Sequence, residues 1–192
     1  MSVPWRLFAA LAFCGCATEP PPATDPIHFA DAATVAGLDF EHYNGFTGKY
    51  YYVETFGAGA AFLDYDSDHD LDLYLVNGTY LTGLPPDPLP HNRLYQNLGQ
   101  GAFSDTGTQT GAADPGYGFG VAAADYDADG DQDLFVANYG PNALYRNDGG
   151  IFAFAETGVG DPRWSTSAGF FDYDLDGDLD LFVANYVHFS LD

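Results

Sequence analysis

From residue 57 onward the apolar residues come in short runs that never reach helical length. Gly57 to Asp64 (GAGAAFLD), Gly118 to Asp125 (GFGVAAAD) and Ser165 to Asp172 (STSAGFFD) each lead into an acidic segment. Leu71 to Asn77 (LDLYLVN), Gln132 to Asn138 (QDLFVAN) and Leu179 to Asn185 (LDLFVAN) leave it. Runs of four to six residues rich in Leu, Val, Phe and Tyr, bounded by Gly or Asp, predict strands. Each copy therefore reads as a β-hairpin with an acidic turn. Asn92 to Asn97 (NRLYQN) matches Asn142 to Asn147 (NALYRN), and a further strand comes after each, at Phe103 to Asp105 and Phe152 to Glu156. That makes four strands per unit. Phe29 to Asp31 and Gly37 echo Phe103 to Asp105 and Gly111 at the same interval, which predicts that the folded region opens on a strand of this last type.

The acidic segments begin at residues 64, 125 and 172, so the units repeat at 61 and 47 residues. Four-stranded units at such periods predict an all-β fold, a β-propeller with one blade per unit. The small residues ahead of each acidic turn suit innermost strands, which crowd around a central axis. The third unit stops after its second strand, and three units do not close a propeller of about 4 to 8 blades. The expectation is a truncated chain holding about three blades of a propeller, over residues 27–192.

Charge adds the next constraint. Of 192 residues, 28 are acidic and 5 basic, for a net charge of -23. Lys49, Arg6, Arg93, Arg146 and Arg163 are too few to build a phosphate-binding patch, which excludes nucleic acid as a partner. Disorder is excluded as well, because 46% of the chain is hydrophobic, with 16 Phe and 14 Tyr to fill a core. The acid is concentrated in three nine-residue loops of one form, Asp-x-Asp-x-Asp-x-Asp-x-Asp. They comprise Asp64, Asp66, Asp68, Asp70 and Asp72; Asp125, Asp127, Asp129, Asp131 and Asp133; and Asp172, Asp174, Asp176, Asp178 and Asp180.

Five carboxylates on nine residues repel one another by about 1 kcal/mol per close pair even in water. A hard divalent cation relieves that repulsion, and an all-oxygen set of flexible donors selects Ca²⁺ over Mg²⁺. Up to three calcium sites are expected, with all fifteen aspartates as candidate metal residues. By analogy with the first half of a helix-loop-helix calcium site, loop positions 1, 3 and 5 donate side-chain oxygens and position 7 its carbonyl. Position 9 would close the cage. Position 6 needs a sharp turn, which Gly130 and Gly177 favour and His69 resists, so the loop at 64–72 is expected to bind most weakly. The helix-loop-helix motif itself is excluded, since Leu75, Val136 and Val183 stand where it requires Glu.

The amino-terminal residues 1–15 read as an export signal: Arg6 precedes a short apolar run, Leu7 to Phe13, too short to span a bilayer. Phe13-Cys14-Gly15-Cys16 resembles a bacterial lipobox, with Phe13 in place of the usual Leu. Ordinary secretion with cleavage near Ala17 is the competing reading. Lipidation of Cys16 would be the chain's one membrane attachment, and residues 16–26, including the Pro-rich TEPPPATDP, would be a linker. The protein is thus expected outside the cytoplasm, as a surface or outer-membrane lipoprotein or as a secreted protein.

Through Asp125-x-Asp-x-Asp-Gly-Asp-x-Asp133-Leu-Phe-Val and its copy at Asp172 to Asp180, the chain resembles the FG-GAP and VCBS repeats of integrin-α-like β-propellers. More narrowly it is similar to bacterial relatives of cartilage acidic protein, which join such a propeller to an ASPIC/UnbV module. Glu54-x-x-Gly57-x-Gly59, Asn92-x-Leu-Tyr, Tyr117 to Gly120 (YGFG), Trp164 to Ser167 (WSTS) and Ala184 to Tyr186 (ANY) carry that likeness. The resemblance implies a seven-bladed extracytoplasmic propeller used for adhesion or partner binding, in which calcium holds the hairpins. The ASPIC/UnbV module has no counterpart in these residues.

Catalysis finds little support. His28, His42, His69, His91 and His188 are scattered, and Ser165 and Ser167 lack a nucleophile-elbow setting. Glu41 and His42 form one local pair, and Asn77-Gly78-Thr79 matches a glycosylation acceptor. Two function classes remain. One is a recognition module presenting loops such as Thr79 to His91 to an unidentified protein or glycan. The other is the scaffold of a secreted enzyme whose catalytic residues lie in a missing carboxy-terminal part.

Overall fold

The computed structural model describes residues 28–156 and 158–191, of which Asp31 onward forms one compact unit. The export signal, the Pro-rich linker and Cys16 lie outside the described residues. Among the described residues no helix is long and apolar enough to cross a membrane.

The fold is all-β, a partial propeller of three antiparallel sheets. The first contains β1 (Ala60–Leu63), β2 (Asp72–Leu75), β3 (Arg93–Asn97) and β4 (Phe103–Asp105), paired in chain order. The second repeats the order with β5 (Gly118–Ala124), β6 (Asp133–Asn138), β7 (Ala143–Asp148) and β8 (Ile151–Phe154). The third contributes β9 (Ser165–Phe171) and β10 (Asp180–Asn185). The hairpin registers put the acidic loops at one end: Leu63 pairs with Asp72, Ala124 with Asp133 and Phe171 with Asp180. Successive side chains of a strand point to opposite faces, and in β6 both faces are buried.

Successive sheets stack through their first strands, with β5 packed between β1 and β9. Small residues are required there. A Cβ added at Gly59 would lie 3.1 Å from the carbonyl oxygen of Phe119, and one at Gly120 would lie 2.5 Å from that of Thr166. Between the first two sheets lies a core that includes Leu63, Tyr74, Val76, Leu94, Leu134 and Val136. Alternate residues of β6, Phe135 and Ala137, face the other way and pack with Ala168, Phe170, Leu181 and Val183 of the third sheet.

Phe29 to Asp31 is not a strand, contrary to the expectation from its echo of Phe103 to Asp105. The likeness belongs instead to the turns next along the chain. Helical turns α1 (Ala33–Ala36) and α2 (Gly107–Thr110) both close on a left-handed glycine, Gly37 and Gly111, each at φ 82°. Each glycine sits against an outer strand: an added Cβ would lie 2.6 Å from the carbonyl oxygen of Phe103 in one case and 2.5 Å from that of Phe152 in the other. A pattern confined to so short a segment did not distinguish turn from strand.

Candidate functional site

The three acidic loops share one hydrogen-bonding scheme. The carboxylate at position 1 accepts the backbone N–H groups of positions 5 and 6. Asp64 takes those of Asp68 and His69 at 3.1 and 3.0 Å, Asp125 those of Asp129 and Gly130 at 3.0 Å each, and Asp172 those of Asp176 and Gly177 at 3.1 Å each. Position 5 in turn accepts the N–H of position 7 in every loop. Position 9 accepts the N–H of position 2, from Tyr65 to Asp72, Tyr126 to Asp133 and Tyr173 to Asp180. The carboxylates thus fold the loop by capping its own amides, as aspartate side chains do in turns.

Position 6 is left-handed throughout, with φ 102° at Gly130, 98° at Gly177 and 73° at His69. Position 4 is left-handed as well, at Ser67, Ala128 and Leu175, with φ 59°, 57° and 63°. That second turn was not signalled by glycine. The recurring tyrosine at position 2 also escaped the sequence reading, although it stands at the same place in all three copies. Tyr65 is buried against Phe152 of the second sheet, with ring centroids 6.2 Å apart.

This folding brings carboxylates from positions 1, 3 and 9 together. Asp64, Asp66 and Asp72 place one oxygen each within 4.8 Å of one another, as do Asp125, Asp127 and Asp133, and Asp172, Asp174 and Asp180. Positions 5 and 7, Asp68, Asp70, Asp129, Asp131, Asp176 and Asp178, do not join these groups. In the first loop Asp66 Oδ2 accepts from Gln96 Nε2 at 2.7 Å, while Asp66 Oδ1 is buried without a hydrogen-bond partner. Asp72 and Asp133 are fully buried. Burial pushes their carboxyls above the ordinary aspartate value, N–H donors from Asn97 and Tyr65 or from Asn147 and Tyr126 pull them back, and the neighbouring position-3 and position-5 carboxylates raise them further.

The second sheet also holds the first loop. Gln132 Oε1 accepts the N–H of Asp64 at 2.9 Å, and Asn147 Nδ2 donates to the carbonyl of Tyr65 at 2.8 Å. Asn147 donates its own N–H to Asp133 Oδ1 at 2.8 Å. One asparagine therefore touches both loops. The Asn-x-Leu-Tyr-x-Asn motif is explained by such contacts: its first residues, Asn92 and Asn142, accept the N–H groups of Asn77 and Asn138 through Oδ1.

Elsewhere, Asn77 is buried and its amide donates to the carbonyls of Glu41 and His91, so the Asn77-Gly78-Thr79 match is a packed turn. His42 is partly buried, which lowers its pKa, and it lines a cavity of about 380 Å³ with Asp39, Glu41, His91 and Arg93. Beyond the strand ends away from the acidic loops, Tyr117, Phe119, Tyr139 and Phe56 gather around Trp164. No periodic pattern in the sequence announced this cluster, because its members come from separate segments of the chain.

Two stretches of the chain, residues 64–136 and 125–183, match the FG-GAP-like repeat. A stretch of 56 residues is 45% identical to cartilage acidic protein 1 of Mus musculus, covering 28% of this chain and 9% of that protein. Each matched stretch runs from one acidic loop through the next and into the strand that leaves it, and together the two span more than half of the sequence. The chain belongs to the FG-GAP-like repeat family.

Proposed function

We propose that this chain is an extracytoplasmic, calcium-stabilised propeller module for adhesion or partner recognition, without a catalytic role of its own. The observation that carries the reading is the convergence of carboxylates from positions 1, 3 and 9 in three registered copies. The donor chemistry fits calcium. All donors are oxygens, and the buried, unpartnered Asp66 Oδ1 is an acceptor that hydrogen bonding leaves over.

Asp64, Asp66 and Asp72 would hold one ion, Asp125, Asp127 and Asp133 a second, and Asp172, Asp174 and Asp180 a third. Calcium bound there supplies the positive charge that offsets carboxylate repulsion. The chain's own contribution is to orient the donors, through the amides that fix positions 1 and 9 and through Gln96, Gln132 and Asn147. Because the carboxylates at positions 1, 5 and 9 are engaged with backbone amides, they support a structural rather than a catalytic use. An export-type amino terminus would place these loops where free calcium is high, a setting that suits calcium sites of the extracellular kind.

The test is thermal melting with calcium and with chelator. Free calcium a hundredfold above its dissociation constant should stabilise the fold by about 2.7 kcal/mol per occupied site. Asp127→Asn should reduce the calcium-dependent shift by one site's share. A melting temperature indifferent to calcium would overturn the reading.

A further inference from the structure

A cavity of about 690 Å³ lies beyond the strand ends remote from the acidic loops. Its size falls within the roughly 300–1,000 Å³ of small-molecule sites. Trp164, 1% exposed, is packed beneath the cavity, and Tyr186, 47% exposed, is the most accessible of its rings, with its centroid 5.4 Å from that of Trp164. Tyr139 and Phe189 add two more rings, at 5.8 Å each from Trp164. Arg163, Asn185 and His188 supply polar groups to the same lining. Arg163 grips Asp161 through Nε and Nη2, and Asn185 Oδ1 accepts from Ser165 Oγ at 2.8 Å, so two of these polar groups are held in place.

This lining sorts possible occupants by charge and polarity. A chain of net charge -23 repels anions over its surface. Among the described residues the lining holds no carboxylate, and Arg163 already occupies Asp161, so a cation finds no counter-charge in the wall. A wholly apolar occupant would strip water from Arg163, Asn185 and His188 without replacing its hydrogen bonds. The remaining class is an uncharged molecule with an apolar face and a hydroxylated edge. The C–H face of a pyranose ring lies flat on an aromatic ring, and its hydroxyls can meet the polar groups alongside. We propose that this cavity binds a neutral saccharide. The proposal rests on the recognition role above and gives that role its ligand class.

Trp5 and Trp164 are the two tryptophans of the chain, so Trp5→Phe leaves an indole emission that reports on the cavity alone. The full chain carrying that change, in calcium, is titrated with glucose, galactose, mannose, N-acetylglucosamine and their neutral di- and trisaccharides, with glucuronate and choline as charged controls. The expected result is a saturable emission change with at least one neutral sugar, at a dissociation constant below about 10 mM, and binding of both controls at least about tenfold weaker. Preference for the oligomers over the free monosaccharide would point to a polysaccharide as the source, and the reverse to a free sugar. Tyr186→Ala should weaken binding by about tenfold, and His188→Ala, which leaves the ring packing untouched, by a few-fold. No saturable response to any neutral sugar, tighter binding of choline or glucuronate, or unchanged affinity in both variants overturns the site. Calcium-dependent melting measured on the same samples separates the two ideas, since it would persist if the cavity assignment alone were wrong.

Discussion

Replacing Asn147 by alanine should cost far more than the same change at Asn97, although the two residues close the same six-residue motif. Asn147 is fully buried, its Nδ2 donates to the carbonyls of Tyr65 and Gln132 at 2.8 and 3.1 Å, and its Oδ1 accepts the N–H of Gly150 at 2.8 Å. Alanine leaves those three backbone groups without this partner. At about 1 kcal/mol for each lost hydrogen bond the loss is about 3 kcal/mol. Asn97 donates to Leu71 O at 3.0 Å near solvent and accepts from Gly99 at 2.9 Å, where water can take over, so about 1 kcal/mol is expected. Both substitutions keep the backbone N–H that binds the position-9 aspartate. Urea unfolding in calcium reads the difference directly. With a slope of about 2 kcal/mol per molar urea, Asn147→Ala should lower the midpoint by about 1.5 M and Asn97→Ala by about 0.5 M. Equal shifts would refute the claim that the cross-sheet contact to Tyr65 carries the added stability.

Three further outcomes are expected. His69→Gly should tighten the first loop for calcium by about fivefold, because a left-handed non-glycine residue costs about 1 kcal/mol; calorimetry with the other loops silenced by Asp127→Asn and Asp174→Asn would show it, and weaker binding would contradict the strain argument. Gln132→Ala, a change in the second loop, should weaken the first by a similar factor through loss of the bond to Asp64, and an equal effect on all loops would argue against this route. Asp114 is a buried carboxyl raised above its ordinary value chiefly by burial, with donors from Tyr145, Asn138 and Gly116 acting the other way. A raised folded-state value favours the protonated form, so its contribution to stability is present below about pH 4 and is lost as pH rises through the folded value. Asp114→Asn should flatten that limb of the melting profile, and an unchanged slope would exclude the residue as its source.

What the sequence determined on its own is everything set by neighbours a few residues apart. The hairpins of β1 with β2, β5 with β6 and β9 with β10, the loops between them and the left-handed position 6 all arise from strand alternation, aspartate capping and turn chemistry, which are local. Tertiary structure decided what each copy does. The hexapeptide Asp-Leu-Phe-Val-Ala-Asn occurs twice without change, as β6 and β10, yet β6 is buried at every position and β10 is fully buried at none. A strand's burial depends on the sheets stacked on its two faces, and no residue within the hexapeptide encodes them. The same reason separates Asn147 from Asn97 and hid the rings around Trp164: their partners are brought in by the stacking of sheets, from segments distant along the chain.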